Sequence, residues 1–217
     1  MNVRANQEKR LAAEAAAELV RDGMRVGLGT GSTVAYLLVA LAQLGRRATY
    51  VASSEATETA ARELGLTLEP FDGVEELDVA IDGADQVTVD GWLIKGGGGA
   101  HTREKVIAAS AERFVVIVDS SKLVASLRPP VPIEILAFGA GVTLARLAPA
   151  TRREMPASLD DGVIVDFRGE IGDPAVLSAR LSATTGVVEH GLFAPCLVSE
   201  VLVGEHGIIR RLRVGAS

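Results

Sequence analysis

The chain has a single cysteine, Cys196, among 217 residues, so it forms no internal disulfide, and nothing nearby in sequence supplies that thiol with a base. Long apolar runs are missing too: the stretch from Val34 to Leu44 is interrupted by Tyr36 and Gln43 and falls short of the ~20 residues that cross a bilayer. Positive charge is not in excess. With 22 Lys+Arg against 28 Asp+Glu, the formal net charge of -6 argues against a general binder of nucleic acid or anionic membranes, although a local cluster can still hold an anion. The three histidines, His101, His190 and His206, show none of the paired spacings of a metal site, and no metal or other cofactor is expected. No basic segment followed by an apolar one opens the chain, which makes the cytoplasm the default compartment.

What is present is 48% hydrophobic residues, enough for a well-buried core. Apolar positions at helical spacing between Asn6 and Arg21 predict an amphipathic helix ended by Asp22-Gly23. Strand and helix patterns then alternate: "MRVGLG", "STVAYLLVALAQLG", "ATYVAS", "EATETAARELG", "LDVAI", "TREKVIAASA" and "RFVVIVD". That alternation predicts an α/β fold with a Rossmann-like open parallel sheet. At "LRPPVP" the prolines forbid a continuing helix, and the following segments carry the split βαβ order of a smaller α+β, ferredoxin-like unit, with "GVVEHGLF" as one strand. The expected division is 1–128 plus about 205–217 for the larger unit and 129–204 for the smaller. The strands at "SEVLVG" and "GIIRRLRV" are compatible with either.

Three post-strand segments can carry chemistry, because ligands of open α/β sheets collect beyond the carboxyl ends of the strands. In "GLGTGST" the glycines let the backbone close on an anion at a helix N-terminus, while Thr30, Ser32 and Thr33 add hydroxyls. The Gly-Lys-Ser/Thr of a nucleotide P-loop is absent, and the dinucleotide fingerprint is incomplete. The competing reading is an ordinary turn capped by Ser32. In "DGADQVTVDGWLIKGGGGAHTREK", Asp82 and Asp85 follow a strand and can handle hydroxyl protons of a polyol, or simply stabilise turns. Lys95 abuts Gly96 to Gly99, whose N–H groups can form a nest for an oxyanion. Glu104 falls in the first turn of a helix, a position that favours a negative charge by ~0.3 to 1 kcal/mol and lowers its pKa unless burial offsets it. In "DSSKLV", Lys122 is a candidate cation, and Lys9 in the first helix is another.

Taken together and in order, "GLGTGST", "DGAD", "KGGGGAHTREK", "DSSK" and "PVPIEI" resemble the ribose-5-phosphate isomerase A family, from about Lys9 to residue 193. The resemblance implies a metal-independent isomerase, a homodimer or homotetramer, that interconverts ribose 5-phosphate and ribulose 5-phosphate through a cis-enediolate. It implies that Thr30, Gly31, Ser32, Thr33, Asp82, Gly83, Ala84, Asp85, Lys95, Gly96, Gly97, Gly98 and Lys122 contact the sugar phosphate. Glu104 would be the proton acceptor, Asp82 with Asp85 would open the ring and move hydroxyl protons, and Lys95 with the glycine N–H groups would hold the oxyanion. The chain departs from the family at Gln86, where Glu is usual, at His101, where an apolar residue is usual, and around "PASLDDGVIVDF", which is shorter. A non-catalytic sugar-phosphate sensor is the alternative; it would need the phosphate loop but not Glu104, Lys95 and both aspartates together. A lactonase or deaminase acting on a phosphosugar would want a catalytic histidine, and a nicotinamide-dependent dehydrogenase would want the complete fingerprint.

Overall fold

Helix α1 (Val3–Ala17) opens a computed structural model that describes residues 3–214. The alternating part follows as β1 (Arg25–Leu28), α2 (Ser32–Leu44), β2 (Thr49–Ala52), α3 (Glu55–Glu63) and β3 (Val79–Asp82). A hairpin of two very short strands, β4 (Gln86–Val87) and β5 (Leu93–Ile94), precedes α4 (His101–Ala109) and β6 (Phe114–Asp119). The next elements are β7 (Val131–Ile135), α5 (Ala140–Arg146), β8 (Ala150–Arg152), β9 (Val163–Phe167), α6 (Pro174–Ser182) and β10 (Val187–His190). The chain ends with β11 (Leu192–Phe193), β12 (Glu200–Glu205) and β13 (Ile208–Arg213).

The large sheet has the order β13-β12-β6-β3-β1-β2, parallel except for the edge strand β13. All six residues of β6 are buried, as a central strand covered on both faces requires. On one face α1 and α2 pack through Ala12, Ala13, Ala16, Leu37 and Leu41. On the other, α4, the short hairpin and β11 bring Ile107, Leu93 and Phe193 against Val116 and Val118. Local chemistry sets the helix ends: Ser54 caps α3 by accepting from the Thr57 N–H at 3.2 Å, and Gly45 closes α2 in the left-handed region at φ 61°.

The small sheet runs β10-β7-β9-β8, every pair antiparallel. In its own numbering this is 4-1-3-2 with two crossing helices, the split βαβ arrangement expected from the sequence. Its core is separate, built on Ile133, Ile135, Val165, Phe167, Leu177 and Leu181.

Two expectations need correction. Strand β12 pairs in parallel with β6, so the return to the large sheet begins at Glu200 rather than near 205. The segment "GVVEHGLF" is two strands: β10 pairs with β7 in the small sheet, whereas β11 pairs with β5 in a three-stranded sheet. Gly191 separates them because the chain must press against the Lys95 carbonyl, which would lie 2.2 Å from any Cβ at position 191. Among the described residues, no helix is long and apolar enough to cross a membrane.

Candidate active site

The segments after β1, β3 and β6 lie at the carboxyl ends of parallel neighbours and meet the glycine loop and the first turn of α4 around one cavity of about 360 Å³. Its wall includes Thr30 to Thr33, Gly83 to Asp85, Lys95 to Gly98, Glu104 and Lys122, together with Lys9, Ser54, Ala56 and Ala100. Segments distant in sequence therefore converge, and of the residues expected at the site only Asp82 is not on the wall.

At one end of the cavity stands the N-terminus of α2. Gly31 occupies the N-cap position at φ 104° with no side-chain cap, and no acid lies in the first turn. Ser32 does not cap the helix; its Oγ accepts from Lys9 Nζ at 2.9 Å. Uncapped N–H groups, the helix dipole and the ammonium groups of Lys9 and Lys122 line this end of the cavity, an arrangement that can hold an anion. One buried carboxylate ties its two cationic sides together. Glu8, next to Lys9, accepts from the Ser120 hydroxyl at 2.6 Å and the Ser120 N–H at 3.1 Å, and so anchors the turn that carries Lys122. Burial alone would raise the Glu8 pKa, but Ser120, Arg4 and the backbone N–H groups of Ser120 and His206 hold it at about 2.

At the other end three charged groups are packed out of water. Lys95 Nζ donates to Asp82 Oδ2 at 2.6 Å and to the Gly83 carbonyl at 2.6 Å, and lies 3.2 Å from Glu104 Oε2. Asp82 is well satisfied, because its Oδ1 also accepts from the N–H groups of Gly83 at 2.7 Å and Thr30 at 3.2 Å. Burial raises the Asp82 pKa, opposed first by Lys95 and then by these N–H groups. Glu104 Oε2 touches the ammonium but makes no aligned hydrogen bond. Burial, and next the charge of Asp82, push the Glu104 carboxyl up to about 7, with Lys95 only partly offsetting them. Burial thus outweighs the lowering expected at the helix N-terminus.

Asp82 is sealed behind the wall at 3% exposure, and a side chain at Gly29 would put a Cβ 1.7 Å from its Cγ. It orients Lys95 rather than facing the cavity. Asp85 is on the wall, where its Oδ2 accepts from the Gly97 N–H at 2.8 Å. The Phe193 ring, 5.5 Å from Lys95 Nζ, helps exclude water from the charged cluster. His101 is fully buried beside Gly96, and burial lowers its pKa to about 3, so the ring is neutral and fills space. Gln86 donates to the Arg128 carbonyl at 2.7 Å and accepts from the Arg128 N–H at 2.8 Å. A Glu at that position would lose the donated bond. No local pattern in the sequence marks Ser54, Phe193 or Arg153 as neighbours of the site.

Comparison with known proteins identifies the family. The sequence profile of ribose 5-phosphate isomerase A (phosphoriboisomerase A) matches residues 49–207. The chain belongs to this family. The ribose-5-phosphate isomerase A of Caulobacter vibrioides (strain NA1000 / CB15N) is 44% identical, over 95% of this chain and 98% of the relative. Among solved structures, ribose 5 phosphate isomerase A from Neisseria gonorrhoeae superposes with a TM-score of 0.93 at 31% identity, covering 97% of this chain and 98% of that one. A D-ribose-5-phosphate isomerase in complex with phospho-erythronic acid gives 0.90 at 34% identity, covering 98% and 100%. As a member of the ribose 5-phosphate isomerase A family, the chain is an enzyme, an isomerase of ribose 5-phosphate.

Proposed function

We propose that the chain interconverts D-ribose 5-phosphate and D-ribulose 5-phosphate through a cis-enediolate, with Glu104 carrying the proton between C2 and C1. The observation that carries this reading is a buried carboxyl on the cavity wall whose pKa is raised to about 7 beside a lysine. A base of that strength is half-ionised near neutral pH and can both take a carbon-bound proton and give it back.

The phosphate would sit on the N-terminus of α2 between Lys9 and Lys122, which leaves the carbonyl end of the open pentose near Lys95 and the glycine loop. As C2 loses its proton to Glu104, negative charge grows on the C1 oxygen and, once the hydroxyl proton has moved, on the C2 oxygen, where Lys95 Nζ and the loop N–H groups stabilise it. Glu104 then returns the proton to C1. Asp85, on the wall, is the carboxylate placed to assist ring opening and to move the hydroxyl proton from O2 to O1. Asp82 acts through Lys95, keeping its ammonium charged and aimed.

Incubating the chain with ribose 5-phosphate and following ketose formation tests the function directly. Ketose formation by the parent chain that is lost in Glu104→Gln supports the reading; ketose formation at the parent rate in that variant would contradict it.

A further inference from the structure

Arg153 lies just past β8 in the small sheet, and its guanidinium reaches across to the glycine loop between β5 and α4. Nη1 donates to the Gly96 carbonyl at 2.9 Å and to the Gly97 carbonyl at 3.1 Å. Asp166, on β9, holds the other edge of the fork: Nη2 to Oδ1 at 2.6 Å and Nε to Oδ2 at 2.9 Å. A bidentate pair of this kind fixes a planar group in direction as well as position.

The peptide bond is planar and trans, so a carbonyl held from one side sends the N–H of the same unit to the opposite side. The 96–97 unit illustrates the rule: its carbonyl is on Arg153, and its N–H meets Asp85 on the cavity wall at 2.8 Å. The 97–98 unit is held in the same way, but the N–H of Gly98 has no acceptor among the described residues. Gly98 lines the cavity. An N–H turned away from Arg153 is free to meet a ligand there.

We infer that Arg153 is a positioning residue, which through the Gly97 carbonyl sets the 97–98 peptide so that the Gly98 N–H donates to the developing oxyanion. Its charge also polarises that peptide and strengthens the N–H as a donor. The inference rests on the isomerase reading above and extends it: the small sheet completes the reaction site of the large one without touching substrate.

The test compares Arg153→Met with the parent chain using three readouts: kcat and KM for ribose 5-phosphate, affinity for phospho-erythronic acid, and affinity for inorganic phosphate. Phospho-erythronic acid presents a carboxylate together with a phosphate, whereas inorganic phosphate reports the cradle alone. Loss of one oxyanion donor predicts a fall in kcat of about 100-fold. KM and phosphate affinity should stay within about threefold and phospho-erythronic acid should weaken about tenfold or more, since of the two probes only phospho-erythronic acid carries a carboxylate to the oxyanion end. Added methylguanidinium should restore part of the rate. Unchanged kcat, equal weakening of both probes, or no rescue would overturn the inference. If Arg153→Met does not fold, Asp166→Asn, which keeps the guanidinium but loosens its anchor, should show the same pattern at smaller size, and parent-like behaviour there would overturn it. A parent chain inactive on ribose 5-phosphate would sink the isomerase reading, while the comparison of the two binding probes would still decide the role of Arg153.

Discussion

Lys95 Nζ stands 3.2 Å from Glu104 Oε2, with both side chains no more than 5% exposed. Asp82, on the other side of the same ammonium, accepts two further N–H bonds, so it is the better-satisfied carboxylate. One cation between two buried anions leaves an excess negative charge when all three are ionised, and a proton relieves it. Glu104, which lacks aligned donors, is where that proton goes.

The raised pKa has a consequence for stability. Between its ordinary value of 4.5 and about 7, the folded chain keeps a Glu104 proton that the unfolded chain releases. The group therefore contributes stability that is complete below 4.5 and lost as pH rises through 7. Glu104→Gln removes that loss, and the variant should exceed the parent by on the order of 1 to 3 kcal/mol at about pH 8. The gain should vanish by about pH 3.5, below both pKa values, where folded and unfolded chains both hold the proton. Urea midpoints at the two pH values check this; a variant less stable than the parent at the higher pH would contradict it.

Activity should follow the same ionisation in the opposite sense. Only the carboxylate form accepts a proton from carbon, so kcat/KM should fall as pH drops below about 7, approaching tenfold per unit. The apparent pKa belongs to the coupled Asp82, Lys95 and Glu104 cluster. A rate profile flat from pH 8 to about 5, well below the pKa of the cluster, would disagree.

Lys95→Met removes the cation and leaves two carboxyl groups buried without it. Breaking a buried pair in this way costs about 3 to 5 kcal/mol. The loss should be greatest at alkaline pH and shrink in acid as the carboxyls take up protons, and isomerisation should be lost. Denaturant titrations at several pH values test the trend, and a pH-independent loss would count against the cluster.

Lys122→Met should weaken the anion cradle while leaving the proton-transfer end intact. A half-buried charge contact of about 1 kcal/mol predicts a rise of roughly five- to tenfold in KM, with kcat within about threefold. Inhibition by inorganic phosphate should weaken in proportion. A selective fall in kcat would place Lys122 near the reacting carbons instead.

Much of this site is legible in the chain because its determinants are local. Lys95, the glycines and Glu104 fall within ten positions, and a strand-to-helix turn rich in glycine and hydroxyls marks the anion end. Lys9 is different: only the packing of α1 beside the start of α2 brings its ammonium to Ser32. Arg153 is farther still, since its partners at Gly96 and Gly97 depend on how the small sheet meets the large one. The strength of Glu104 was also hidden, because helix position alone lowers its pKa and only tertiary burial raises it. In the fold, the apolar run Val201-Leu202-Val203 of "SEVLVG" is what a buried inner strand needs, and β12 lies between β6 and β13. The two-residue strands β4 and β5 are too short for a periodic pattern to show.

The most direct test of proton transfer by Glu104 is deuterium uptake from D₂O at C2 of ribose 5-phosphate and C1 of ribulose 5-phosphate, followed by NMR with the parent chain and Glu104→Gln. The account predicts stereospecific incorporation by the parent and a rate at least about 100-fold lower in the variant, the contribution of one acid-base group. Incorporation by Glu104→Gln at the parent rate would contradict it.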